Sequence, residues 1–350
     1  MRGLAAWLAM AVAAVGISFA MAGCGNNSSP PTTAGSGTAG GGAVRKIAVI
    51  PKATTDEFWK SIHAGAVKAK QELDKDGVKI EIAWQGPVLE NDSTKQIAVV
   101  ENMINTGVSA IVLAPNDSSA LSEVVDTASK KNIPVVIIDS DLKTESYKSF
   151  VATDNYNGGK MAGENMVKLL GGKGRVIVLR HDKGQASTEK REQGFLDAMK
   201  ASPDIQVVSS DQYGGPTSDS SYKVAENLLA GFKNADNSLK ADGIFASNEG
   251  ATYGMLRALE DLKAAGKVKF IGFDASPALV TGLKAGEING LIVQDPVNMG
   301  FLGVMTAIAV LDGKTVERRV DTGVHFATKE NMDSQEIHDL LYPPLDKYLK

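Results

Sequence analysis

Lys46-Ile47-Ala48-Val49-Ile50-Pro51 is a short apolar stretch that ends at a proline, and it begins a pattern that repeats along the chain. A helix is predicted after it, because apolar residues recur at the spacing of one helix face: Phe58, Ile62, Ala66, Ala69 and Leu73. Repetition of strand and helix indicates right-handed βαβ units in a parallel sheet.

Two series of strands and helices are predicted. The first has strands at 79–84, 110–114 and 134–139 and a helix over 118–131, and Ser93-x-x-Gln96 has the form of a capping box before another helix. The second has strands at 175–179, 205–209, 243–246, 268–273 and 290–294, and helices near 156–170, 188–200, 218–231, 250–265 and 277–285. Since the apolar runs do not alternate, we expect parallel strands buried on both faces and two similar, doubly wound α/β lobes.

Polar side chains are predicted at the carboxyl ends of these strands, which is where ligands bind in open parallel sheets. The strand ends carry Lys52 and Asp56, Asp139-Ser140-Asp141, Ser247-Asn248-Glu249, Phe273-Asp274, and Gln294-Asp295, and Phe58 and Trp59 follow the first of them. Carboxylates and amides exchange hydrogen bonds with hydroxyl groups, while flat aromatic rings cover apolar C–H faces. This combination predicts a site for a sugar or another polyol.

A plainer interpretation exists for each of these residues taken singly. Asp, Asn and Ser at strand ends often cap the next helix. Phe58 and Trp59 are equally compatible with core positions on the first helix. Gln294 is harder to explain in this way, because it interrupts an apolar strand just before Pro296. Taken together, the five polar strand ends indicate a ligand site more strongly than any single member does.

Other functional classes find little support in the sequence. The four histidines, His63, His181, His325 and His338, lack the spacing of metal ligands. Gly171-Gly172-Lys173-Gly174 comes before a strand, which favours a helix stop over a dinucleotide-binding turn. The formal net charge of −4, without a basic cluster, argues against nucleic acid as a partner. We therefore expect a binding protein without metal or cofactor, and not an enzyme.

The N-terminal segment has the pattern of an export signal that ends at Cys24, the single cysteine of the chain. The predicted signal peptide is 1–23, in which Arg2 precedes an uncharged apolar run over 4–23. Met21-Ala22-Gly23-Cys24 resembles a bacterial lipoprotein signal, in which the peptide is cleaved before a lipid-modified cysteine. A membrane-spanning helix is the alternative. The segment 24–44 is uncharged and rich in small residues, which predicts a flexible tether with a reach of roughly 25 Å. We expect a periplasmic or cell-surface protein held to the membrane through Cys24.

Seven short motifs resemble, in order and spacing, the ribose-binding-protein type of ABC-transporter receptor, a type I periplasmic binding protein. They are Phe58-Trp59, Ile138-Asp139, Ala152-Thr153-Asp154-Asn155, Arg191-Glu192-Gln193-Gly194-Phe195, Ala246-Ser247-Asn248-Glu249, Gly272-Phe273-Asp274 and Val293-Gln294-Asp295. The resemblance covers 45–325 and implies two Rossmann-like lobes, joined by a three-strand hinge, that close on a sugar. It implies a first lobe of 45–153 plus 295–322 and a second lobe of 154–294 plus 323–350. The crossings are then expected near Thr153–Asp154, Gln294–Asp295 and 322.

The resemblance also implies roles for individual residues. The positions that match sugar-binding polar residues are Asp139, Asn248, Asp274 and Gln294, and those that match the stacking aromatic pair are Phe58 and Trp59. Asp56 stands where the family has an amide or acid facing the sugar, and Arg191 lies in the loop that matches an arginine of the family.

Two departures from ribose receptors bear on the ligand. Ser140 stands where those receptors have an arginine, and Lys52 stands where they have a small polar residue. The ligand is therefore expected to bind differently from ribose, and both residues are counted in the predicted site.

The resemblance implies a monomeric receptor that delivers a small-molecule sugar to an ABC permease. Ile50-Pro51-Lys52 and Asp139-Ser140-Asp141 also resemble receptors for furanosyl quorum signals, whereas Asn248 and Gln294 fit sugar receptors better. A sugar sensor that feeds a membrane kinase is a further alternative. A two-lobed transcriptional repressor would need a DNA-binding helix-turn-helix where this chain has its export signal.

Overall fold

The computed structural model describes residues 44–236 and 238–349, and Val44–Lys350 forms one compact unit. The predicted signal, Cys24 and nearly all of the predicted tether lie outside the described residues. Within the described ranges, no helix is both long enough and apolar enough to cross a bilayer.

Six parallel strands form the first sheet. They are β1 Arg45–Ile50, β2 Ile80–Trp84, β3 Ala110–Leu113, β4 Val135–Ile138, β5 Ser149–Ala152 and β11 Arg319–Asp321. Their order across the sheet is β11-β5-β4-β3-β1-β2, and every pairing is parallel. The central strand β3 is completely buried, as a parallel strand covered on both faces should be.

The second sheet repeats this arrangement. Its strands are β6 Gly174–Arg180, β7 Ile205–Tyr213, β8 Gly243–Ala246, β9 Lys269–Phe273, β10 Gly290–Val293 and β12 His325–Ala327. Their order is β12-β10-β9-β8-β6-β7, and only the edge strand β12 runs antiparallel to its neighbour. The two sheets therefore share one strand order, and the predicted pair of doubly wound α/β lobes is confirmed.

Helices cover both faces of each sheet. They are α1 Glu57–Lys75, α2 Ser93–Asn105, α3 Ser122–Lys130, α4 Asn155–Leu169, α5 Ala186–Lys200, α6 Ser218–Gly231, α7 Glu249–Asp261, α8 Pro277–Ala285, α9 Pro296–Leu311 and α10 Gln335–Leu341. In the first lobe, α1 and α9 share one apolar core with the sheet, and α2 and α3 share another. In the second lobe, α4 and α5 cover one face, while α6, α7, α8 and α10 cover the other.

The chain passes between the two sheets three times, through short segments that lie outside the strands. Residues 153–154 join β5 to α4, residues 294–295 join β10 to α9, and residues 322–324 join β11 to β12. The first and third segments touch, because the Thr153 hydroxyl donates to the carbonyl of Gly323 at 3.1 Å. After α10, a short 3-10 turn at Leu345–Lys347 contacts α1 of the first lobe.

Two local predictions are wrong. The capping box does not form, because the N-cap of α2 is Asp92, whose side chain accepts from the backbone N–H of Lys95. Gln96 is instead fully buried and donates to the carbonyls of Pro51 and Ala114. The helix expected over 118–131 begins at Ser122, after a turn.

Candidate functional site

A cavity lies between the two sheets at the carboxyl ends of their strands. It contains about 460 Å³ of atom-free space, a figure that includes open solvent. The first lobe lines it with Lys52, Asp56, Phe58, Trp59, Glu90 and Asp139. The rest of the lining consists of His181, Gln185, Ser187, Thr188, Arg191, Pro216, Ser218, Asn248, Glu249, Gly250, Asp274 and Gln294.

Nine of the ten residues predicted as ligand-binding line this cavity: Lys52, Asp56, Phe58, Trp59, Asp139, Arg191, Asn248, Asp274 and Gln294. The tenth, Ser140, is buried behind the lining, where its hydroxyl accepts from the backbone N–H of Ser187. Ser140 therefore braces the contact between the lobes without facing the cavity.

Lys52 and Asp139 form a buried ion pair at the end of the first sheet. The Lys52 Nζ lies 2.7 Å from Asp139 Oδ2, and both side chains are 3 % exposed. The ammonium also donates to the hydroxyl of Ser187 in the second lobe at 3.0 Å. One lysine thus connects a first-lobe carboxylate to the first turn of α5 in the second lobe.

Phe58 and Trp59 form the aromatic wall of the cavity. Their rings meet edge to face, with centroids 5.0 Å apart. Both also belong to the apolar core beneath α1, so the core interpretation and the cavity interpretation hold together. The Trp59 indole N–H donates to Glu90 Oε1 at 2.6 Å, which fixes the orientation of the ring.

Glu90 and His181 connect the lobes directly. The Glu90 Oε2 and His181 Nε2 atoms are 2.7 Å apart, and both residues are buried. Burial alone would raise the pKa of the Glu90 carboxyl, but the hydrogen bond and charge of His181 outweigh it and lower that pKa to about 2. The site therefore holds an ionised carboxylate against an imidazole of the opposite lobe.

Arg191 lies under the second-lobe side of the cavity. Its Nε donates to Asn155 Oδ1 at 2.7 Å, its Nη1 donates to the Ser247 carbonyl at 3.1 Å, and the guanidinium lies 3.9 Å from the centre of the Phe273 ring. Arg191 Nη1 is 3.6 Å from Asp274 Oδ2. Burial raises the pKa of Asp274, and the charge of Arg191 opposes that shift. Arg191 therefore lines the cavity, and its role in ligand binding stays a prediction.

Gln294 and Asn248 make different local bonds. Gln294 Nε2 donates to Asp274 Oδ1 at 2.6 Å, which orients the carboxyl. Asn248 is the N-cap of α7, and its Oδ1 accepts from the Ala251 N–H. Capping and cavity lining therefore coincide in Asn248.

The first turn of α1 is capped by Glu249 of the second lobe and not by Asp56, the residue at the N-cap position. Asp56 occupies the N-cap position but its side chain makes no capping bond. The Phe58 N–H donates instead to Glu249 Oε2 of the second lobe at 3.0 Å. Burial is the main cause that raises the pKa of Asp56 to about 6 and that of Glu249 to about 8.

Half of the lining was not predicted. His181 directly follows β6, so the strand-end rule applied to this strand would have found it. Glu90 lies in the loop six residues beyond the end of β2, after the exposed Val88 and Leu89, and no local pattern marks its return to the cavity. The Gly171-Gly172 helix stop is as predicted, since both residues adopt left-handed φ just after α4.

Two lobes of one fold, meeting across a buried polar cavity with an aromatic wall, define a solute receptor. Residues 47–315 match the periplasmic binding protein domain family. The chain therefore belongs to the periplasmic binding proteins, a family of extracytoplasmic receptors and not of enzymes, as expected.

Individual relatives agree with this assignment. The ribose import binding protein of Haemophilus influenzae is 32 % identical over 277 residues, which span 78 % of this chain and 88 % of that protein. A carbohydrate transporter solute-binding protein of Agrobacterium radiobacter, solved with D-arabinose, is 35 % identical with a TM-score of 0.80, covering 86 % of this chain and 99 % of that one. An ABC transporter solute-binding protein of Agrobacterium vitis, solved with D-fucose, is 36 % identical with a TM-score of 0.79, covering 85 % of this chain and 100 % of that one.

Proposed function

We propose that the protein binds a sugar or sugar-like polyol in the cavity between its lobes and delivers it to an ABC permease. The observation that supports this most directly is the pair of carboxylates Asp139 and Asp274, one from each sheet, facing one cavity beside the Phe58 and Trp59 rings. Carboxylates from opposite sides hold hydroxyl groups, and the rings cover the apolar face of a sugar. The named ligands of the relatives, ribose, arabinose and fucose, are of this chemical class.

The site residues are proposed to divide the work between the lobes. Lys52, Asp56, Phe58, Trp59 and Asp139 contact the ligand from the first lobe. From the second lobe the contacts are Arg191, Asn248, Asp274 and Gln294. Ser140 acts indirectly, through its bond to Ser187.

Closure of the lobes is proposed as the binding motion, with hinges at 153–154, 294–295 and 322–324. An open form satisfies only one set of ligand contacts, so the ligand has higher affinity for the closed form and shifts the population toward it. The proposed lobe boundaries are 45–153 plus 295–322 and 154–294 plus 323–350. The division of the strands between two sheets supports them, while the turn at Leu345–Lys347 reaches back to α1.

The protein is further proposed to be a monomeric lipoprotein, anchored through Cys24. The support is the motif Met21-Ala22-Gly23-Cys24 and the absence of any second cysteine in the sequence. Mass spectrometry of the mature protein tests the anchor. A diacylglyceryl cysteine at the N-terminus is expected, and an unmodified cysteine on exported protein contradicts it.

The decisive experiment for the ligand class is a thermal-shift screen with pentoses, hexoses, inositols and furanosyl signals. A ligand at a hundred times its Kd adds about 2.7 kcal/mol to the free energy of unfolding. A shift with sugars or inositols alone supports the proposal, whereas a shift with a furanosyl signal alone favours the signal receptor. Small-angle scattering at saturation should then show a smaller radius of gyration than without ligand.

A further inference from the structure

The charges that line the cavity do not balance. Five carboxyl groups and three basic groups face it. Each base has an acid of its own: Lys52 pairs with Asp139 at 2.7 Å, His181 with Glu90 at 2.7 Å, and Arg191 with Asp274 at 3.6 Å. Two acids, Asp56 and Glu249, remain outside these pairs.

Neither Asp56 nor Glu249 has a cationic group within 4.0 Å among the residues that the structure describes. Lys60, the basic residue that follows Asp56 most closely, is engaged by Glu57 at 2.6 Å. Both acids line the cavity, and Glu249 reaches across from the second lobe to the start of α1, where its Oε2 accepts from the Phe58 N–H, two residues after Asp56. Two carboxyl groups without a cationic partner therefore line the cavity near the start of α1.

Local structure leaves the oxygens of Asp56 available. Asp56 holds the N-cap position of α1, where an aspartate side chain usually accepts from the backbone of the next turn. Here it makes no such bond, because Glu249 from the other lobe accepts from the Phe58 N–H instead. The Asp56 carboxyl lines the cavity without a capping partner.

Gln294 gives an independent sign that the missing partner is a donor. It is 3 % exposed and lines the cavity. Its Nε2 donates to Asp274, which fixes the orientation of the amide, and its Oε1 has no partner within the described part of the chain. A buried acceptor without a donor is costly, so this oxygen favours a ligand that offers an N–H or O–H group.

We propose that the ligand carries a protonated amino group, as an amino sugar or an aminated polyol does, and that this group binds between Asp56 and Glu249. The inference rests on the proposed function and narrows its substrate class. An ammonium group has a positive charge and three hydrogen-bond donors but no acceptor. It therefore supplies the positive partner that Asp56 and Glu249 lack. A hydroxyl group supplies no charge, and it would leave either two uncompensated carboxylates or two half-buried acids that must stay protonated.

The neutral-ligand alternative makes the opposite prediction. If Asp56 and Glu249 stayed protonated, each would donate a hydrogen bond to a sugar oxygen, and replacement of a hydroxyl by an ammonium would weaken binding. Preference between a sugar and its amino derivative therefore separates the two cases.

The experiment is calorimetry at pH 7 with matched sugars. Glucose, galactose and mannose are compared with their 2-amino-2-deoxy derivatives, and glucose also with its 3-amino and 6-amino derivatives. At least one amino sugar should bind ten times more tightly than its parent. Asp56→Asn and Glu249→Gln should each remove that preference, while Glu57→Gln, which neutralises an acid outside the cavity lining, should retain it.

The outcomes are distinguishable. If the parents bind and no amino derivative binds more tightly, the inference is overturned and the sugar receptor stands. If an amino sugar is preferred and Asp56→Asn and Glu249→Gln keep the preference, the assigned position is overturned. If none of these sugars binds and none of the wider neutral screen does, the sugar-receptor function fails and the inference fails with it.

Discussion

Asp139 and Asp274 occupy equivalent positions in the two sheets. Each is the first residue after the third strand in the sheet order, and each has a left-handed backbone, with φ of 61° and 68°. Each backbone N–H donates to the adjacent strand, Asp139 to Val151 at 3.2 Å and Asp274 to Ile292 at 2.7 Å. The same turn has thus brought a carboxylate into the cavity from both lobes.

The first prediction separates the backbone role of Asp274 from its chemistry. Asp274→Asn and Asp274→Ala should both weaken ligand binding by about ten- to a hundredfold, because a charge-assisted hydrogen bond is worth roughly 1.5–3 kcal/mol. Asp274→Ala should in addition lower the free energy of unfolding by about 1 kcal/mol relative to Asp274→Asn, because Asn tolerates a left-handed backbone conformation and Ala does not. Calorimetry and urea denaturation measure the two effects. Equal stability of the two variants would contradict the backbone argument.

The second prediction concerns the buried Lys52–Asp139 pair. Asp139→Asn removes the countercharge of a buried ammonium and should cost roughly 3 kcal/mol of unfolding free energy. Adding Lys52→Met should recover part of this loss, because the uncompensated charge is then gone. The control is Glu81→Gln, which breaks an exposed pair with Lys46 and should cost less than about 1 kcal/mol. A double variant no more stable than Asp139→Asn would count against the pairing.

The third prediction concerns the contact between lobes. Glu90→Gln removes the carboxylate that His181 contacts across the lobes. The ligand-free protein should therefore open, with a larger radius of gyration at pH 6, and the affinity should fall by roughly tenfold. Since the pKa of Glu90 is lowered to about 2, the pair contributes above the ordinary carboxyl pKa and is lost as pH falls toward 2. Glu336→Gln is the matched control, because it breaks an exposed acid–histidine pair with His325 inside one lobe. Identical scattering from the two variants would contradict the proposal that the Glu90–His181 contact holds the lobes together.

The fourth prediction concerns pH. The pKa of Glu249 is raised to about 8, mainly by burial, so the folded protein holds a proton that the unfolded chain releases above about pH 4.3. Stability of the ligand-free protein should therefore fall as pH rises from about 5 through 8. Glu249→Gln cannot titrate, so its Tm should fall less over that range. Parallel curves of Tm against pH for the variant and the parent would rule out this titration.

The fifth prediction concerns the base of the aromatic wall. Gly65 allows α1 to approach α9, since a Cβ there would lie 2.0 Å from the carbonyl oxygen of Val297. Gly65→Ala should lower the free energy of unfolding by on the order of 2 kcal/mol, because α1 and α9 must move apart to accommodate the added methyl group. Gly231→Ala is the control, because a Cβ at that position would meet nothing within 4 Å. This substitution should raise the free energy of unfolding by roughly 0.5–1 kcal/mol. Chemical denaturation measures the free energy of unfolding of both variants. Similar changes in the two would contradict the claim that a side chain at position 65 disrupts the packing of α1 against α9.

Much of the fold was predictable because many of its strands contain an unbroken apolar run, such as AIVL in β3 and VVII in β4, and many of its helices are periodic. The strands β5, β11 and β12 were not predicted, and β11 and β12 have only three residues each, too few to show a period. The capping box failed because buried carbonyls of Pro51 and Ala114 compete for the Gln96 side chain, and tertiary contacts of this kind leave no local signal. The site was predictable where it follows a strand, as at Asp139 and Asp274. It was not predictable at Glu90, whose position depends on how a loop folds back.

The bond between Phe58 and Glu249 has a consequence for how selectivity arises. A helix of one lobe has its first turn completed by the side chain of the other lobe. When the lobes part, the Phe58 N–H must find water or the neighbouring Asp56, so the aromatic surface that a ligand first meets differs from the one that finally holds it. The ligand therefore binds first to the surface of the open form and is retained by the surface of the closed form. A molecule that binds the open form is retained only if it also allows the Phe58–Glu249 hydrogen bond to form again.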